Sequence, residues 1–127
     1  MITVDKIVIS TEGASKPVAP YSQAIRAGSF VFVAGQVGID PKTGRLVTGG
    51  VRAQTKQAIE NLRAVLAAGG MGLDQVVKTT VFLRKAEDYE AMNEVYRCYF
   101  RRNMRTLATK DILSSRELHV WSDLHES

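Results

Sequence analysis

The run VRAQTKQAIENLRAVLAAGG, residues 51–70, constrains the fold more than any other stretch. Val51, Thr55, Ala58, Ile59, Leu62, Val65 and Leu66 recur at steps of three and four, while Lys56, Glu60 and Arg63 fall away from them. That spacing gives a helix with one apolar face. Such a helix is marginal alone in water and needs an apolar surface to bury its stripe. Gly69-Gly70 then ends it in the manner of a C-cap.

The neighbouring sequence supplies the surface. QVVKTTVFL, residues 75–83, is rich in β-branched residues and reads as a central strand. YSQAIRAGSFVFVAGQ, residues 21–36, reads as two strands joined at Ala27-Gly28-Ser29, and TVDKIVI, residues 3–9, as a first strand. TEGASKPVAP, residues 11–20, holds two prolines and a glycine and is a loop. Glu87-Asp88 opens a second helix whose expected buried stripe is Tyr89, Met92, Val95, Tyr96 and Tyr99. The simplest packing is an α+β, two-layer arrangement: a mixed sheet with two helices on one face. The other face would stay apolar enough to want cover, which in a chain this small points to another subunit. The last 27 residues, 101–127, alternate little, and only Leu118–Trp121 suggests a final strand.

The bulk numbers narrow the function classes. A length of 127 residues fits one domain, 1–127, with a core of its own. No run approaches the roughly 18 apolar residues of a membrane span, and no apolar signal core opens the chain, so a cytoplasmic protein is expected. The lone Cys98 cannot form an internal disulfide, and among Tyr96, Tyr99 and Phe100 it is expected to pack rather than react. A net charge of +4 and pI near 9.4 raise the question of nucleic acid. Much of the excess is local, with Arg97, Arg101, Arg102 and Arg105 inside nine residues. No basic run interleaves with stacking aromatics, so helix-end chemistry or a small-anion site ranks ahead of nucleic acid.

VFVAGQVGIDPKTG, residues 31–44, carries the sharpest local puzzle. Asp40-Pro41-Lys42-Thr43-Gly44 is turn chemistry: Pro41 pre-sets φ, Asp40 bonds the backbone ahead, and Gly44 tolerates positive φ. Gly35, at the end of an apolar strand, means either that something approaches the backbone closely or that a glycine bulge bends the sheet.

The chain resembles the RidA/YjgF family of reactive-imine deaminases. The resemblance rests on APYSQAI (19–25), VFVAGQVGIDPKTG (31–44), QTKQAIENLRAVLAAGG (54–70), VVKTTVFL (76–83) and YEAMNEVYRCYF (89–100), in order and at the family's spacing. It implies a chorismate-mutase-like (YjgF) fold and a homotrimer with clefts between neighbouring subunits. It also implies hydrolysis of 2-imino acids, such as 2-iminobutanoate and 2-iminopropanoate, to 2-keto acids and ammonia, with no metal or cofactor. Carried over residue by residue, Tyr21 would line the cleft with its phenol, Gly35 would offer main-chain contact, and Asn93 would face the cleft from the second helix. Arg105, followed by Thr106, would anchor the substrate carboxylate as the catalytic arginine, with Arg101 and Arg102 as fallbacks. A close ligand at Gly35 is what the resemblance favours over a bare bulge.

The family pattern breaks down after Phe100, so residues 101–127 are atypical. Pro-Ala is missing before Arg105, Ala34 stands where the family commonly has serine, and Leu113-Ser114 replaces its Leu-Pro. Val120 occupies the gap-free position of the glutamate that orders the attacking water in the family. A divergent member with altered catalysis and a tail from a shifted reading frame are the two explanations. Three functions follow: an imine deaminase, a non-catalytic trimer that binds small carboxylates or keto acids, and, last, a protein acting on RNA.

Overall fold

The computed structural model describes residues 5–17, 19–101, 106–112 and 119–125, of which 110–112 and 119–125 are described as backbone. The long amphipathic segment is helix α1, Gly50–Ala68, and it buries Thr55, Ala58, Ile59, Asn61, Leu62, Val65 and Leu66. Its stop is a Schellman turn. Gly70 adopts φ +77°, its N–H donates to the Ala67 carbonyl at 3.0 Å, and the Met71 N–H donates to that of Leu66 at 2.8 Å. The second helix, α2 (Tyr89–Tyr99), buries Met92 and Tyr96.

Both helices lie on one face of a mixed sheet. Its strands are β1 (Lys6–Ile9), β2 (Ala24–Ala27), β3 (Phe30–Gln36), β4 (Val76–Leu83), β5 (Leu107–Ile112) and β6 (His119–His125), in the order β1-β2-β3-β6-β4-β5. All neighbours are antiparallel except β4 and β5, whose parallel pairing requires a crossover, here supplied by α2. β2 turns into β3 through Gly28-Ser29, with Gly28 at φ 60°. Side chains alternate across a strand, so Val31 and Val33 enter the buried cluster with Leu62, Val65 and Met92. Their neighbours Phe30 and Phe32 stay exposed on the opposite face, in a row that register extends through Ile25 to the exposed Val8. Leu107 on β5 is also exposed, at 73%, and register sets Asp123 of β6 and Lys78 of β4 between it and Phe32.

The α+β expectation matches the architecture, with several differences in detail. β6 spans His119–His125 rather than Leu118–Trp121, and β5 arises where the sequence showed no strand. Cys98 is exposed, not packed. It lies two residues beyond Tyr96, on the outward side of α2, where its thiol donates to the Glu94 carbonyl at 3.3 Å. Tyr89, in the first turn of α2, is likewise exposed. No helix among the described residues is long and apolar enough to cross a membrane.

Candidate functional site

The end of β3 is where the sheet opens. Val33 pairs with Ser122 and Gln36 with Val120, three steps on β3 against two on β6, so the ladder carries an extra residue at Ala34-Gly35. The bulge and a cleft occur together. Ala34, Gly35 and Gln36 form one side of a cavity of about 180 Å³, and Lys16, Pro17 and Tyr21 form another. An outer hollow of about 580 Å³ shares Lys16, Pro17, Tyr21 and Gln23 and extends past Thr11 and Glu12. Tyr21 is 49% exposed, so its ring is available to both.

Two buried amides hold the walls. Gln23, 5% exposed, accepts the Thr11 N–H at 2.7 Å and donates to the carbonyls of Thr11 and Ser15, each at 3.1 Å. Its own carbonyl accepts the Ala34 N–H at 2.9 Å, which ties the 11–15 loop to β3. On the other side Asn61, fully buried on α1, donates to the carbonyls of Ile39 at 2.8 Å and Val37 at 3.2 Å, and accepts from Gln57 at 2.9 Å. Between those carbonyls Gly38 lies against α1 so closely that a Cβ would sit 2.7 Å from Gln54 Cα. The turn that follows is built as its residues dictate. Asp40 accepts the Lys42 N–H on its carboxylate and the Gly44 N–H on its carbonyl, both at 2.8 Å, with Gly44 at φ 71°.

The structure brings Tyr21 and Gly35 to the same cleft. Asn93 sits half-buried on α2 and does not line it. Arg105 and Arg102 lie outside the described residues, and Arg101 is exposed just past α2. Val120 falls on β6 in register with Gln36, one residue from Gly35. Sequence reasoning missed Lys16, the one charged residue lining the inner cleft among those described. Its signal was a cation directly before a proline in a loop otherwise read as a connector. No cluster of three or more His, Cys, Asp or Glu suited to a metal ion occurs among the described residues.

Comparison with known proteins adds relatives to this geometry. The family model described as endoribonuclease L-PSP matches residues 11–115. A RutC family protein of Pyrococcus horikoshii is 55% identical over 95 residues, 75% of this chain and 75% of its own. The 2-iminobutanoate/2-iminopropanoate deaminase of Mus musculus is 40% identical over 112 residues, 88% of this chain and 83% of its own. The crystal structure of E. coli TdcF with bound serine superposes with a TM-score of 0.88 at 27% identity, covering 95% of this chain and 99% of that one.

Proposed function

Since the chain belongs to the endoribonuclease L-PSP family, the RidA/YjgF family its motifs resemble, we propose that it hydrolyses 2-imino acids such as 2-iminobutanoate and 2-iminopropanoate. The observation that carries this reading is the convergence of Tyr21 and Gly35 on one small cleft at the bulged end of β3. Its 180 Å³ is below the ~300–1,000 Å³ of pockets for drug-sized ligands and suits a small acid. The 40% identity to a mouse protein named for this reaction and the serine bound by TdcF, itself a small carboxylate, add support.

In the reaction, water oxygen bonds to the C=N carbon, the carbon–nitrogen bond breaks, and both water protons end on nitrogen. The products are a 2-keto acid and ammonia. Arg105 anchors the carboxylate through its planar fork, while the Tyr21 phenol and the main chain at Gly35 hydrogen-bond the imine end. The uncovered face bearing Phe30 and Phe32 suits cover by further copies of the chain in a homotrimer. No cofactor enters these steps.

The test is a coupled assay in which an amino-acid oxidase generates the imine and semicarbazide traps it. Suppressed semicarbazone formation by the purified protein is expected. Arg105→Ala should lower kcat/KM by more than about 100-fold, as loss of two charge-assisted hydrogen bonds implies, while leaving the assembly intact. Full activity in that variant would reject Arg105 as anchor. A second reading draws on the register of Val120 with Gln36, which sets a residue unable to accept a proton beside Gly35. It makes the protein a non-catalytic binder of small carboxylates, with saturable 2-keto acid binding and no turnover as its signature.

A further inference from the structure

We propose that Lys16 selects imino acids whose side chain carries a second carboxylate. The inference deepens the deaminase reading and rests on it. Lys16 lines both the inner cleft and the outer hollow, at their junction beside Tyr21. It makes no ion pair or hydrogen bond among the described residues, so no described carboxylate of its own chain neutralises it.

Its backbone is placed on both sides. The preceding carbonyl, that of Ser15, accepts the Gln23 amide at 3.1 Å, and Ala14 just before is buried. The following Pro17 restricts Lys16 to extended backbone. A side chain launched from a pinned backbone keeps its ammonium near the junction even though its own torsions are free. A substrate held by its α-carboxylate and imine in the inner cleft, about 180 Å³, finds the outer hollow adjoining it among the described residues, and a side chain taking that route passes Lys16. A carboxylate one or two methylenes out meets the cation there, whereas an alkyl side chain leaves it solvated. Glu12 lines the outer hollow alone, so an anion extending past the junction is opposed, which favours short diacids over long ones.

The experiment compares kcat/KM for 2-iminoglutarate, made by an L-glutamate oxidase, with that for 2-iminobutanoate, made from 2-aminobutyrate, in wild type, Lys16→Ala and Lys16→Glu. The diacid-to-monoacid ratio should fall about fivefold in Lys16→Ala, the size of one exposed ion pair, and further in Lys16→Glu. The loss should sit in KM for the diacid, and added salt should shrink the wild-type ratio. A ratio unchanged in both variants overturns the inference while leaving the deaminase reading intact. Should wild type hydrolyse neither imine, the deaminase reading fails, and calorimetric binding of 2-oxoglutarate against 2-oxobutanoate decides the role of Lys16. A wild-type preference for the diacid lost in Lys16→Ala supports it, and equal ratios reject it.

Discussion

β3 and β6 lie side by side in the middle of the sheet, yet only one of them alternates over its whole length in the sequence. FVFVAGQ alternates cleanly, with Val31 and Val33 buried and Phe30 and Phe32 exposed. HVWSDLH mixes charge, histidine and hydroxyl with three apolar residues, but it pairs with β3 on one side and β4 on the other. The contrast shows what specifies a central strand. β3 and β4 each present a row of backbone donors and acceptors to the gap between them, and leaving both rows buried and unpaired would cost far more than a poor side-chain pattern. The same contrast runs through the comparisons. The P. horikoshii relative aligns over 75% of this chain, whereas TdcF superposes over 95% of it, so the shared shape extends further than that alignment.

The largest expected effect tests β6 directly. Ser122 is in register with Val33 on β3 and Thr79 on β4, so Ser122→Pro removes a donor from a strand paired on both edges. Roughly 3 kcal/mol or more should be lost, measured as the shift in urea midpoint, and Val33→Pro in the well-patterned neighbour should cost at least as much, since it also removes a buried side chain. A negligible shift for Ser122→Pro beside a large one for Val33→Pro would remove β6 from the centre of the sheet.

The same physics explains what was legible. α1 follows from its periodicity, β4 from its β-branched run and the β2–β3 hairpin from two runs joined at Ala27-Gly28-Ser29. β5, LATKDI, has no such pattern, and its parallel pairing with β4 is set by the α2 crossover rather than by its residues. At the cleft, Tyr21 and Gly35 were readable because they stand in motifs. Asn61 carried a subtler signal: three residues after Ala58 and four before Val65, it occupies a core position by spacing. A polar residue there must have a partner, but nothing local says that the partners are the carbonyls of Val37 and Ile39, more than 20 residues earlier. Gly38 was hidden for the same reason, since its close neighbour is the backbone of α1 and not a ligand.

Asn61→Leu sharpens the comparison from the patterned side. A leucine there completes the helical stripe, so a pattern-only account expects stability to rise. The structure gives the opposite sign, because the Ile39 carbonyl loses its donor and that of Val37 keeps only the Ile39 N–H, at about 1–3 kcal/mol. Urea unfolding measures the stability, and the imine assay should register a misplaced Val37–Ile39 wall as a raised KM. A more stable variant with unchanged kinetics would mean that the amide does not hold that wall.

The smallest effect concerns Tyr99, which the stripe of α2 assigned simply to the core. It is half-buried, and its phenol donates to Glu60 on α1 at 2.8 Å with Arg63 over the ring, 5.5 Å from its centroid. Burial first, then the hydrogen bond and charge of Glu60, push its pKa up to about 12, against a partial opposing pull from Arg63. An unfolded tyrosine titrates near 10, so above about pH 10 the unfolded chain gives up a proton that the folded chain keeps. Stability from this contact is therefore fully present below about pH 10 and lost as pH rises through about 12. Tyr96, its pKa also raised by burial, adds to the trend with the same sign, so the single variant reduces the slope without flattening it. The margin by which wild type exceeds Tyr99→Phe in urea midpoint should narrow between about pH 9 and about pH 11. A margin constant over that range would show that Tyr99 serves only as packing, as the helical pattern alone assigned it.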